Sequence, residues 1–117
     1  MLICNKQIIS AEELVCSNIF SQSLGLMFRK RQNLIMIFRK EKKISLHNFF
    51  VFYPIDVLIL DEHKKIVEIK RNFKPFNFWS SKMRGRYVVE LGFPGNFSER
   101  YDVGNILEFS VQKENRY

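Results

Sequence analysis

The sequence predicts a mainly β fold with one short helix in its N-terminal third, and three observations carry that expectation. Runs of β-branched and aromatic residues recur between short charged or Gly-containing stretches, which is the pattern of strands and hairpins. A length of 117 residues with 46% hydrophobic content supplies a single core without metal or disulfide help. Twelve Phe against five Gly and three Pro exclude a disordered or low-complexity chain. The expected organisation is one domain over residues 1–117, with no internal repeat and no linker.

Taken in chain order, the N-terminal third gives two competing signals. Ser10-Ala11-Glu12-Glu13 is a capping box, which by itself starts a helix near Ala11. Its sequel, Leu14, Val15, Cys16 and Ile19, suits a strand as well, and a strand is the expectation here, followed by a short helix from Ser21 to Phe28. Leu34 to Phe38 is the first clear strand. The charged stretch Arg39 to Lys43 then reads as a turn before a second strand, Ile44 to Phe52, too apolar at its end to leave one face in water. Pro54 cannot donate to a sheet ladder, so the next strand starts after it and runs from Ile55 to Leu60. Asp61 to Lys65 forms a polar hairpin turn, and Ile66 to Lys70 returns. Arg86 to Leu91 and Ile106 to Val111 complete the set, with Gly92, Pro94, Gly95 and Gly104 at turns between them.

Composition narrows the setting. Cys4 and Cys16 are too few for a disulfide framework and too far apart for a C-x-x-C pair, so both read as buried thiols. The N-terminus lacks the pattern of a secretory signal, which makes the cytoplasm the expected location. The longest nearly apolar run, Phe49 to Leu60, is shorter than the roughly 20 residues a membrane helix needs, and Pro54 and Asp56 interrupt it. No membrane span is expected. A formal net charge of +7 would attract nucleic acid, an anionic surface or another anionic ligand, without choosing between them.

Gly25-Leu26-Met27-Phe28-Arg29, then Leu34 to Phe38, Pro54-Ile55-Asp56-Val57-Leu58-Ile59-Leu60-Asp61 and Tyr87-Val88-Val89-Glu90-Leu91, in this order, resemble the Domain of Unknown Function 192 family, also called uncharacterised protein family 0127. The resemblance covers nearly the whole chain and implies a single-domain β-sandwich or partly closed barrel. Where bacterial members carry W-M-K-N-T, this chain has His47-Asn48-Phe49-Phe50-Val51, which resembles the archaeal branch. Gly104-Asn105 stands where the family usually has Gly-Asp, so no role passes from either motif. The family has no established reaction to transfer.

Four residues are the ligand-binding candidates. Arg29 carries a planar fork of donors suited to an anion or to an ion pair with Asp56 or Glu90. Asp56 sits in an apolar run where an unpaired charge would cost several kcal/mol, so it needs a partner or a cleft. Strand alternation points Glu90 at solvent. His47, at the head of the Phe-rich segment, has an ordinary pKa near neutrality, yet a lone His without an orienting partner is more often structural. The nucleic-acid candidates are Arg71, Lys74, Phe78, Trp79 and Arg84, from a stretch (70–87) that interleaves cations and rings as single-stranded nucleic acid requires. The competing reading packs those rings under a loop and leaves the cations solvated.

With two His, two Cys and none of the common zinc, calcium, nucleophile or phosphate-loop motifs, no metal site, cofactor or catalytic residue is expected. The first expectation is thus a non-enzymatic binding or accessory domain with a surface near Arg29, His47 and Asp56. The alternatives are a small single-stranded nucleic-acid-binding module, or a minimal hydrolase or carbohydrate-active enzyme using Asp56 or Glu90.

Overall fold

The computed structural model describes residues 1–16, 31–47, 51–93 and 100–110. Within them lie β1 (Leu2–Cys4), β2 (Gln7–Ser10), β3 (Glu13–Cys16), β4 (Asn33–His47), β5 (Ile55–Leu60), β6 (Ile66–Phe73), β7 (Phe78–Leu91) and β8 (Leu107–Glu108). The protein is mainly β. The segment expected as a helix, Ser21 to Phe28, lies outside the described residues, as does Arg29.

Two sheets share the strands. A small sheet of order β2-β1-β8 begins with a tight hairpin in which Cys4 faces Gln7, and Asn5 and Lys6 both have positive φ, the signature of the two-residue turn whose twist matches paired strands. The larger sheet has the order β3-β4-β7-β5-β6, parallel only between β3 and β4. The capping-box residues therefore start a strand, as expected from the apolar sequel. Ser10 Oγ lies 2.5 Å from Glu13 Oε2 and accepts from Asn33 Nδ2 at 2.8 Å, so the box is spent on fixing β3 against β4.

Arg39 to Lys43 corrects one expectation: these residues continue β4 and do not turn the chain. Pairing of β4 with β7 runs from Asn33↔Leu91 to Ile37↔Tyr87, resumes at Lys42↔Gly85, and reaches His47↔Phe78. Register shifts after Ile37 and after Lys43 mark bulges, which absorb the charged residues and bend the ribbon. At the bend Gly85 leaves room for β5, since a Cβ there would stand 2.5 Å from Ile59 Cγ2. β7 is correspondingly longer than Arg86 to Leu91. Of the expected strand Ile44 to Phe52, Ile44 to His47 belong to β4, residues 48–50 lie outside the described residues, and Val51 and Phe52 are not in a strand. Val51 is buried and Phe52 is 70% exposed, so the far end of that segment does not have both faces covered.

Alternation along β5 sorts the core. Leu58 and Leu60 join Leu2, Cys4, Ile9, Ile35, Val89 and Leu107 in the layer between the sheets. Ile55, Val57 and Ile59 join Leu34, Met36, Val88 and Phe73 on the opposite face, where the bent ribbon adds Ile44, with Leu46 and Trp79 packed alongside. Every residue of β5 is buried for this reason. Each fully buried Leu or Ile contributes about 1.5–3 kcal/mol of transfer free energy, which makes β5 the centre of the fold. Among the described residues no helix is long and apolar enough to cross a membrane.

Candidate functional site

Asp56 occupies an even position of β5 and so faces the layer between the sheets, at 3% exposure. Tyr101 donates its hydroxyl to Asp56 Oδ2 at 2.5 Å, and the Asn72 amide donates to Oδ1 at 2.9 Å. A register shift between β5 and β6 puts Asn72 at φ 52°, a conformation Asn tolerates, and turns its N–H toward the carboxylate. Arg71 approaches Oδ2 at 3.8 Å and donates to the Tyr101 carbonyl at 2.7 Å. Burial, followed by the bond to Asp56, pushes the Tyr101 phenol up. The partner that sequence reasoning demanded for Asp56 comes from downstream, and the group ties the 100–110 segment to the large sheet.

Glu90 corrects a second expectation. It lies opposite Val57 on β7 and is 5% exposed, because the face that alternation assigns to it is covered by the second core layer. Among the described residues its Oε2 has no hydrogen-bond partner, and burial pushes its carboxyl up to about 7. Tyr53 stands close enough to Glu90 and to Arg31 for both to act on its phenol, which burial raises first. Arg31 donates Nε to the Gly92 carbonyl and lies over the rings of Tyr53 at 5.5 Å and Phe93 at 5.0 Å. It lines a cavity of about 570 Å³ together with Ala11, Glu12, Glu13, Leu14, Gln32, Asn33 and Phe93. Sequence reasoning passed over Arg31 because nothing local marks it.

His47 is exposed opposite Phe78, at the other end of the β4–β7 pairing from the Leu91 that faces Asp56. These two ligand candidates thus have separate surroundings. Of the nucleic-acid candidates, Arg71 is engaged with Asp56 and Trp79 packs against the second core layer, whereas Lys74, Phe78 and Arg84 are exposed. The stretch is two strands with a turn, not a loop, and its rings divide: Phe73 is 1% exposed, Phe76 54% and Phe78 74%.

Pairing of β4 with β7 has a consequence for charge. Arg39, Lys40, Lys42 and Lys43 against Glu41 leave an excess of three on β4, and Lys82, Arg84 and Arg86 add three on β7. Six of the seven net charges of the chain thus lie on ten residues of one ribbon. Lys43 stands directly opposite Arg84. Among the described residues none of these seven cations forms an ion pair. Lys43 Nζ and Arg86 Nε donate to the carbonyls of Lys82 and Phe38, and Lys42 lies over the Phe38 ring at 5.0 Å.

A family model described as "Uncharacterized ACR", DUF192, matches residues 5–105. The chain belongs to the DUF192 family. Among its relatives are UPF0127 proteins of Pyrococcus horikoshii, 35% identical over 65% of this chain and 68% of the relative, and of Thermococcus sibiricus, 27% identical over 86% and 67%. Its fold resembles a crystal structure from Sinorhizobium meliloti 1021, a protein provisionally described as a transcription regulator, with TM-score 0.74, 20% identity, and coverage of 82% of this chain and 79% of that one. A protein of unknown function from Novosphingobium aromaticivorans DSM 12444 aligns at TM-score 0.73 and 17% identity, covering 83% and 74%. Within this DUF192 chain, the PIDVLILD segment supplies β5 and YVVEL the inner half of β7, so these two of the motifs that carry the family resemblance build the doubly covered core, while Gly25 to Arg29 lies outside the described residues.

Proposed function

We propose that this chain is a non-enzymatic binding domain for single-stranded nucleic acid, which lies along the outer face of the β4–β7 ribbon. The observation that carries the reading is the concentration of nearly the whole net charge on residues 39–43 and 82–86 of two neighbouring strands, among which Glu41 is the single acid. Like charges directly opposite across a strand pair destabilise the sheet, so Lys43 against Arg84 weakens the free fold, and a polyanion relieves that cost. The exposed rings Phe52, Phe76 and Phe78 supply the second requirement, faces on which bases stack. Phe52 and Phe76 already meet edge to face at 5.9 Å. Lys74 and His47 are exposed in the same stretches of sequence. Asp56, held by Tyr101 and Asn72, is a structural tie on this reading.

The test compares binding of a short oligothymidylate by the parent chain with two variants of equal charge change. Lys43→Glu with Arg84→Glu should weaken binding at least about a hundredfold, because each loses a phosphate contact and adds a repulsion. Lys6→Glu with Lys65→Glu, at exposed positions off the ribbon, should change it by less than about tenfold. Phe78→Ala should cost about 1–3 kcal/mol if a base stacks there. Equal losses in both charge variants, or tighter binding to phosphatidylserine vesicles than to the oligonucleotide, would replace this reading with a diffuse electrostatic one.

A further inference from the structure

We infer that the cavity between the β2–β3 turn and the start of β4 binds a small zwitterion of the free amino-acid class, independently of the ribbon. The cavity is about 570 Å³, large enough for such a molecule with some water. Among the described residues its lining offers three kinds of group. Arg31 provides a guanidinium whose Nε is occupied by the Gly92 carbonyl and whose plane is held by Tyr53 and Phe93, which leaves its two terminal amino groups as a fixed fork for a carboxylate. Glu12 provides an exposed carboxylate on the same wall, while the neighbouring Glu13 is taken up by the Met1 ammonium at 2.7 Å and by Ser10 Oγ at 2.5 Å. Ala11, Leu14 and Phe93 provide the apolar part.

An anion alone would meet repulsion from Glu12, and a cation alone would meet Arg31. A molecule carrying both charges with a short aliphatic side chain satisfies all three kinds of group. Asn33 is held in place on this wall, since it donates to Ser10 Oγ at 2.8 Å and accepts from the Gly92 amide at 2.9 Å, so the cavity's polar floor is fixed before any ligand arrives. The preorganised fork lowers the ordering cost of binding.

Titration of the chain with L-leucine, leucinamide and 4-methylpentanoate, followed by calorimetry and by amide chemical shifts, tests the inference. L-leucine should bind saturably, and each analogue lacking one charge should bind about tenfold or more weakly. Arg31→Gln should abolish selectivity for the carboxylate, and Glu12→Gln selectivity for the ammonium. The exposed Glu12→Gln should melt like the parent, whereas Arg31→Gln, which gives up the bond to the Gly92 carbonyl, should melt lower but still cooperatively. Equal binding of all three compounds, no saturable binding of L-leucine, or L-leucine binding unchanged in folded Arg31→Gln, would each overturn it. Oligonucleotide affinity, which belongs to the ribbon, should be unaltered in Glu12→Gln.

Discussion

Replacing Asp56 by Leu is expected to lower the unfolding free energy by about 3–5 kcal/mol, the cost of leaving the partners of a buried charge unpaired. Three donors converge on this carboxylate from two segments, and two of them lose their acceptor in the variant: the Tyr101 hydroxyl and the Asn72 amide. Arg71 is 42% exposed and 3.8 Å away, so solvent takes over most of its share and it adds little. Tyr101→Phe removes one hydrogen bond to a charged group and should cost about 1.5–3 kcal/mol. Denaturant unfolding of both single variants and the double variant measures the coupling. A loss in Asp56→Leu no larger than in Tyr101→Phe would show that the carboxylate is not the hub of the group.

Glu90→Gln should stabilise the chain above neutral pH by about 3 kcal/mol and remove a pH dependence that the parent shows. The carboxyl is buried without a partner for Oε2 among the described residues, and its pKa rises from 4.5 to about 7 on folding. Below pH 4.5 both folded and unfolded chains hold the proton and there is no penalty. Between pH 4.5 and about 7 the unfolded chain releases it while the folded chain keeps it, so stability falls as pH rises. Above about 7 the folded carboxyl ionises too and the loss levels off. A difference of about 2.5 pH units corresponds to about 3 kcal/mol at 1.36 kcal/mol per unit. The amide that replaces the carboxyl has no proton to lose in this range, so parent and variant should converge in acid and diverge in base. Parallel stability curves across that range would contradict the burial of an uncompensated carboxyl.

These two carboxylates show how far the residues could be read before the fold. Asp56 interrupts an apolar run, so its need for a partner was legible, while the partner itself, Tyr101, lies 45 residues downstream and no local pattern announces it. Glu90 obeys the alternation of β7, yet the inference from alternation to solvent assumes a sheet covered on one face. Here the bent β4–β7 ribbon covers the other face with Ile44, Leu46 and Trp79. The charged run Arg39 to Lys43 reads as a turn for a similar reason. Charges are rare inside strands when neighbouring strands enclose them, but this part of β4 passes through a bulge where its side chains reach water. Both basic runs are visible in the sequence, and only the register that sets Lys43 opposite Arg84 makes them one surface. The closing strand is expected over Ile106 to Val111; among the described residues Ile106 bridges to Lys65 and Leu107–Glu108 pair with β1, which is itself three residues long, while Val111 lies outside the described residues. The cation and ring stretch likewise contained both of its proposed roles: Phe73 and Trp79 pack inward, and Phe76 and Phe78 remain outside.

The most direct measurement on the ribbon is the salt dependence of oligothymidylate binding. With about six phosphates neutralised, the logarithm of the binding constant should fall against the logarithm of salt concentration with a slope near −4, at about −0.7 per contact on a single strand. Neutralising one opposed pair, as Lys43→Gln with Arg84→Gln, should reduce the magnitude of that slope by about 1.4 while the fold stays intact. An unchanged slope in the folded double variant, or no binding at low salt, would contradict the assignment of the ribbon as a nucleic-acid surface.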